Sequence, residues 1–139
     1  MVSNAYILAA VEAMKEQYPI DPDRVYVLGH SEGGVLAYGV ALRHPGLFRG
    51  LVVIGARLRS EETTAEVLEP ADDQLQVLVC HSREDQMIGF EAAEEAHKTL
   101  KRAGFQSKLL TYAGGHGLTK ELVMAIAAWI DRDAGKKQR

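Results

Sequence analysis

The sequence predicts an α/β protein with an open parallel sheet of about four strands and flanking helices. Two observations predict this class. Short apolar runs alternate with segments of helical periodicity, and the connections between them are short. Runs that are apolar throughout are typical of strands covered by helices on both faces. At 139 residues, we expect a single domain, residues 1–139, that is long enough for a core of its own.

The first half of the chain alternates helix and strand. Apolar residues at helical spacing predict a helix over 4–18, which a proline-containing turn ends. The apolar run that follows predicts a strand over 24–29. A helix over 31–43 ends at His44-Pro45-Gly46, which cannot continue it. Residues 51–55 are apolar and predict the second strand.

The second half repeats this alternation after a charged, irregular segment over 56–74, in which a short helix fits near Glu61–Leu68. Two apolar runs predict strands over 75–80 and 108–112. A charged segment followed by a capping glycine predicts a helix over 90–102. A segment with one apolar side predicts a helix over 119–133.

Composition argues against several classes of partner. The net charge is −3, so the basic excess of a nucleic-acid-binding protein is missing. No apolar stretch approaches the roughly 18 residues of a membrane span, and no secretory signal is visible. We therefore expect no nucleic acid, no membrane and a cytoplasmic location. Cys80 is the single cysteine, which excludes an internal disulfide and suits a reducing compartment.

Gly29-His30-Ser31-Glu32-Gly33 is the most informative motif. It lies between a predicted strand and a predicted helix, the context that makes Gly-x-Ser-x-Gly a nucleophile elbow. So tight a turn predicts little room for a Cβ at Gly29 and Gly33. The Ser31 hydroxyl would lie at a helix N-terminus, which favours developing negative charge. Ser31 is therefore the predicted nucleophile; a flexible glycine-rich turn is the alternative.

A serine nucleophile needs a base and an acid that orients the base. Asp85 follows the third predicted strand, and His116 follows the fourth. Both therefore fall at the carboxyl edge of the sheet with Ser31, where ligands bind in open α/β sheets. Glu84 is a rival acid, because the spacing does not separate it from Asp85.

Four other histidines compete with His116 as the base. His97 lies within a helix and His44 at a helix end, so both are expected at the surface. The side chain of His30 is expected to point away along the elbow, whereas His81 shares the catalytic edge and can line a pocket. Glycines on both sides of His116 suit a loop that delivers an imidazole without crowding, which favours His116.

With these residues identified, the chain resembles the α/β-hydrolase superfamily, and within it the phospholipase/carboxylesterase group. The matching segments surround the elbow, the acid and the base, at residues 21–34, 81–85 and 113–116. The resemblance implies a reduced α/β-hydrolase fold. It also implies Ser31 as nucleophile, Asp85 rather than Glu84 as acid, and His116 as base.

Family members usually begin with several strands before the first helix of this chain, and a loop among them carries one oxyanion-hole N–H. The backbone N–H of Glu32 can supply one donor, but the second has no obvious source here. Loss of one such donor costs about 10²–10³ in turnover. The first strand would also become a sheet edge, so we expect a homo-oligomer through that edge or the open face. A truncated product of a longer esterase is the alternative.

The predicted activity is that of a serine carboxylesterase acting on a small-molecule ester through an acyl-enzyme. No metal or cofactor is expected, because the histidines and acids lack metal-ligand spacing. Met87, Ile88 and Leu118 follow the acid and the base and are weak candidates for an acyl pocket; core anchors are the alternative. The short 56–74 segment leaves no room for a large lid, which favours short-chain esters. Alternative functions are an impaired fragment or interaction module, a thioesterase and a peptidase.

Overall fold

Four parallel strands form the centre of the part of the chain that the structure describes. The structure is a computed structural model and describes residues 4–68 and 74–137. The strands are β1 (Tyr26–His30), β2 (Gly50–Ile54), β3 (Gln76–Ser82) and β4 (Gln106–Tyr112). They pair in parallel in the order β1-β2-β3-β4. The predicted α/β fold with an open parallel sheet is confirmed.

Helices precede or follow each of these strands. They are α1 (Asn4–Gln17), α2 (Glu32–Arg43), α3 (Ala65–Leu68), α4 (Glu91–Arg102) and α5 (Lys120–Lys137), with a 3-10 turn at Ser60–Glu62. The short helix expected near Glu61–Leu68 is this turn together with α3, and α5 runs beyond its predicted end at 133. Residues 69–73 of the predicted irregular segment lie outside the described residues. No helix within the described ranges is long and apolar enough to cross a membrane.

The core lies on both faces of the sheet. Alternate residues of β2 and β3 point to opposite faces: Leu51 and Val53 pack in the cluster that includes α2 and α4 residues, whereas Val52 and Ile54 pack against α5. All five residues of β2 are buried. This two-sided burial explains why the run over 51–55 is apolar at every position.

β1 lies at an edge of the sheet, since within the described residues it pairs with β2 alone. Beside it lies α1, none of whose residues is fully buried. A groove of about 570 Å³ separates the two elements and is lined mainly by apolar side chains, among them Ile7, Val11, Met14, Val25, Val27 and Leu28. Leu28 is 51% exposed in this groove. The edge position expected for the first strand is therefore observed.

Candidate active site

The turn between β1 and α2 holds Ser31 in a strained backbone conformation. Its φ is 57° and its ψ is −120°, and among the described residues it alone combines a side chain with positive φ. Such a conformation costs on the order of 1–3 kcal/mol. The Ser31 N–H donates to the carbonyl of Ile54 over 2.9 Å, and α2 begins at the next residue. The end of β2 and the start of α2 thus hold the elbow.

One of the two glycines expected to be required at the elbow is required, and the other is not. A Cβ on Gly29 would lie 2.1 Å from the Gly33 carbonyl oxygen, so the prediction for Gly29 holds. The prediction for Gly33 is wrong, because nothing lies within 4 Å of a Cβ there. Gly34 carries the second constraint, since its Cβ would meet the Ala56 Cβ at 2.7 Å. In the first turn of α2, Gly33 therefore faces open space and Gly34 faces the end of β2.

Ser31, His116 and Asp85 form a continuous chain of contacts. His116 Nε2 lies 2.9 Å from Ser31 Oγ, and His116 Nδ1 lies 2.7 Å from Asp85 Oδ2. A carboxylate only accepts hydrogen bonds, so the neutral ring carries its proton at Nδ1 and accepts at Nε2. In this tautomer His116 can take the hydroxyl proton of Ser31.

The carboxylate of Asp85 is held on both oxygens. Oδ1 accepts the backbone N–H groups of Met87 and Ile88, each over 2.9 Å, and Oδ2 accepts from His116. Burial of the side chain by itself raises the pKa of Asp85. The hydrogen bonds from Ile88, His116 and Met87 outweigh that effect and hold the pKa below its ordinary value. Asp85 is therefore ionised at neutral pH, whereas the rival Glu84 is an exposed side chain.

Two side chains hold the loop that carries His116. His30 Nε2 lies 2.6 Å from the carbonyl oxygen of His116 and, as the donor, ties this loop to the elbow. Ser82 Oγ accepts the N–H groups of Glu84 and Gly115, each over 3.1 Å, and so joins the acid loop to the base loop. Sequence reasoning missed both roles.

The expected direction of the His30 side chain is wrong. The His30 ring lies beside the His116 ring, with 5.1 Å between centroids. Side chains alternate along a strand, and Tyr26, four residues earlier, contacts Trp129 of α5. Position 30 therefore faces the α5 side of the sheet, where the loop between β4 and α5 also lies. This alternation along β1 was the signal that could have found it.

The weaker candidates occupy different environments. The side chains of Met87 and Leu118 are 74% and 53% exposed, so neither is a core anchor. Ile88 is half-buried, and its backbone N–H binds Asp85. His81 is completely buried and cannot line an open pocket.

The N-terminus of α2 supplies a hydrogen-bond donor next to Ser31. Glu32 is the first residue of α2, so its N–H has no acceptor within the helix. The positive end of the helix dipole lies at the same place. This N–H can bind an oxyanion formed at the carbon that Ser31 attacks. Within residues 4–68 and 74–137, no group of three His, Cys, Asp or Glu side chains is arranged to hold a metal ion.

Comparison with known proteins identifies the family of this chain. Residues 4–133 match the phospholipase/carboxylesterase family. A probable carboxylesterase of Oryza sativa subsp. japonica is 30% identical over 112 residues, which are 80% of this chain and 42% of that protein. Acyl-protein thioesterase 1 of Gibberella zeae is 26% identical over 121 residues, 85% of this chain and 52% of that protein. The chain thus spans about half the length of these relatives.

A solved structure shows the same fold. The crystal structure of a variant of SOBER1 from Arabidopsis thaliana has a TM-score of 0.81 and 24% sequence identity, covering 94% of this chain and 63% of that one. The family match runs from the start of α1 to Asp133 in α5 and includes the elbow and the loops after β3 and β4. This chain belongs to the phospholipase/carboxylesterase family of α/β-hydrolases.

Proposed function

We propose that this chain hydrolyses short-chain carboxylic esters with Ser31 as nucleophile, His116 as base and Asp85 as orienting acid. The observation that carries this proposal is the chain of contacts from Ser31 Oγ through the His116 ring to Asp85 Oδ2, at 2.9 and 2.7 Å. The strained backbone of Ser31 at the start of α2 supports it further, because such strain clusters at active sites.

The reaction proceeds by acyl transfer in two steps. His116 Nε2 accepts the Ser31 proton as Oγ attacks the ester carbonyl carbon, and the Glu32 N–H binds the resulting oxyanion. The protonated His116 then gives its proton to the departing alcohol, which leaves an acyl-serine. Water attacks this acyl group with His116 again as base, and the acid leaves as Ser31 regains its proton.

Asp85 serves this cycle in two ways. Its Oδ2 holds the proton of His116 at Nδ1, which leaves Nε2 free to accept from Ser31. Because its pKa lies below the ordinary value, it stays ionised and stabilises the imidazolium that forms in each step.

The exposed apolar side chains on the two catalytic loops support an acyl substrate. Met87 follows Asp85 by two residues and Leu118 follows His116 by two, and both are largely exposed. We assign them to contact with a short acyl chain. Ile88 is the weaker candidate, because it is half-buried.

Thioester cleavage is a second candidate function. The relative from Gibberella zeae is named an acyl-protein thioesterase, and the same serine, histidine and aspartate chemistry cleaves thioesters. Side-by-side turnover of p-nitrophenyl butyrate and butyrylthiocholine separates the two candidates.

The test is hydrolysis of p-nitrophenyl acetate and butyrate by the purified chain beside Ser31→Ala. A matched control is Ser60→Ala, at an exposed serine in the 3-10 turn. We expect turnover in the parent and in Ser60→Ala, and buffer background in Ser31→Ala. Equal rates in the parent and Ser31→Ala would overturn the proposal and favour an impaired fragment or interaction module.

We also propose that the chain self-associates, with a second copy seated on the β1 edge. The Ser31 N–H points to β2. Because the backbone groups of successive strand residues point to opposite sides, those of Tyr26, Leu28 and His30 point away from β2 and toward the open edge. Two copies of one strand edge are complementary about a two-fold axis, and exposed Leu28 adds apolar area beside it.

Sedimentation at micromolar concentration tests self-association. We expect a dimer for the parent chain and a monomer for Leu28→Lys, because a lysine on an edge strand blocks pairing. Val123→Lys, on an equally exposed apolar position of α5, should remain dimeric. A monomeric parent chain rules this proposal out.

A further inference from the structure

His81 is completely buried next to Asp85, and the reaction proposed above does not use it. The residue lies near the end of β3, and its side chain is 0% exposed. Nε2 lies 2.8 Å from the carbonyl oxygen of Ile88 and 3.4 Å from Oδ2 of Asp85. Both neighbours of Nε2 are hydrogen-bond acceptors, so the neutral ring carries its proton there.

The other ring nitrogen has no partner. His81 Nδ1 is buried, and no described residue binds it. A buried polar atom without a partner reduces stability. The ring also packs edge-on against Phe90, with 6.0 Å between centroids. An apolar ring of similar size would fill this space without an unsatisfied nitrogen. What histidine adds over such a ring is therefore its N–H at Nε2.

We propose that His81 is a positioning residue for Asp85, an inference that rests on the proposed function. The His81 N–H holds the turn over 85–88 through the Ile88 carbonyl, and the N–H groups of this turn bind Oδ1. The same N–H dipole lies beside Oδ2, the oxygen that accepts from His116. Both carboxylate oxygens thus depend on the placement of one buried ring.

This role makes a specific electrostatic prediction. An N–H directed near a carboxylate favours its ionised form. Removing it should raise the pKa of Asp85, which its hydrogen bonds now hold below the ordinary value. A ring that only filled space would leave this titration unchanged when another side chain of suitable size replaced it.

Three substitutions at one position separate the N–H from the packing. His81→Gln places an amide N–H at nearly the position of Nε2, His81→Asn places it at that of Nδ1, and His81→Phe keeps a ring without any N–H. The control is His97→Gln, at a part-buried histidine of α4 whose Nδ1 binds Ser107 Oγ over 2.8 Å. If the Phe variant does not fold, the polar Asn variant still removes the N–H from the ε position.

The primary readout is the carboxyl titration of Asp85, followed by ¹³C NMR, which needs no turnover. We expect the pKa of Asp85 to rise by on the order of half a unit in His81→Phe and His81→Asn. His81→Gln and His97→Gln should titrate like the parent. An unchanged titration in the Phe and Asn variants, or a Gln variant indistinguishable from them, would overturn the proposal.

Kinetics provide the second readout. In His81→Phe and His81→Asn we expect kcat for p-nitrophenyl butyrate to fall on the order of 10-fold, with KM unchanged, because His81 does not touch substrate. His81→Gln should recover most of kcat. A parent chain without turnover would disprove the proposed function, while the Asp85 titration would still decide the role of His81.

Discussion

Asp85 and Asp133 are buried almost equally, at 7% and 6% exposure, but they lie at opposite ends of the sheet. Asp85 follows β3 at the carboxyl end and binds an imidazole. Asp133, in α5, lies at the amino end. Its two oxygens accept Nη2 and Nε of Arg49 over 2.6 and 2.8 Å, and Oδ2 also accepts the Tyr26 hydroxyl.

The difference between the two carboxylates lies in their partners. The imidazole beside Asp85 can accept a proton and give it back during a reaction, whereas the guanidinium beside Asp133 keeps its charge. Hydrogen bonding to Asp133 raises the pKa of Arg49 further. The amino end therefore holds a permanent ion pair that joins α5 to the start of β2. A buried, hydrogen-bonded carboxylate thus does not by itself identify a catalytic acid; the proton chemistry of its partner does.

Asp85→Asn should have the largest effect on activity. The amide would offer an N–H to His116 Nδ1, which forces the other tautomer and blocks Nε2 as an acceptor for Ser31. We expect kcat/KM for p-nitrophenyl butyrate to fall about 10³–10⁴-fold. The change in the free energy of unfolding should be much smaller than in Asp133→Asn. Activity retained within a few-fold would mean that Asp85 is not the orienting acid.

Asp133→Asn should lower stability strongly and leave activity nearly unchanged. Removing one charge leaves Arg49 buried without its counter-ion, and its side chain is only 11% exposed. We expect the free energy of unfolding, from urea denaturation, to fall by about 3–5 kcal/mol. Esterase activity per folded molecule should stay near that of the parent. A large loss of kcat in the folded variant would contradict the separation of the two ends.

Local patterns predicted most of the fold. The runs over 51–55 and 75–80 identify buried strands because burial on both faces demands apolar residues at every position. The proximity of Ser31, Asp85 and His116 likewise follows from loops that leave parallel strands at one edge. The same patterns could not predict the Arg49–Asp133 pair, because its partners are 84 residues apart and meet only after α5 packs on the sheet.

The limits of the motif are seen in its glycines and histidines. A Gly-x-Ser-x-Gly pattern predicts that Gly33 has no room for a Cβ. In the structure this constraint applies to Gly34, because the first turn of α2 packs against Ala56. His30 and His81 differ in how far the sequence could have assigned them. Alternation along β1 gives the face of the sheet on which His30 lies, but whether His81 is buried behind the acid depends on which loops meet, and that has no local signal.

Gly34→Ala and Gly33→Ala test the packing around the elbow at the carboxyl end of the sheet. A Cβ at Gly34 collides with the Ala56 Cβ and lies 3.0 Å from Val53, so overpacking should lower the free energy of unfolding by about 1–3 kcal/mol. Gly33 lies in α2 with open space around it. Gly33→Ala should therefore raise stability by about 0.5–1 kcal/mol, measured by urea denaturation. The reverse order would restore the usual interpretation of the motif.

The smallest expected effect is in the alkaline stability of the amino end. Burial, and next the hydrogen bond to Asp133, raise the pKa of Tyr26 from 10.0 to about 12. Because the folded-state pKa is raised, this contribution to stability is complete below about pH 10 and is lost as the pH rises through 12. Burial also raises the pKa of the Cys80 thiol to about 12, but that group is common to the parent and Tyr26→Phe.

The difference between the unfolding curves of the parent and Tyr26→Phe therefore isolates the Tyr26 hydroxyl. We expect the parent to lose stability relative to Tyr26→Phe between pH 10 and 12, and parallel curves would show that folding does not raise the pKa of this hydroxyl. Asp85 behaves with the opposite sign. Its lowered pKa stabilises the fold above about pH 4, and that contribution is lost as the pH falls further. Acid therefore weakens the carboxyl end through Asp85, and alkali weakens the amino end through Tyr26.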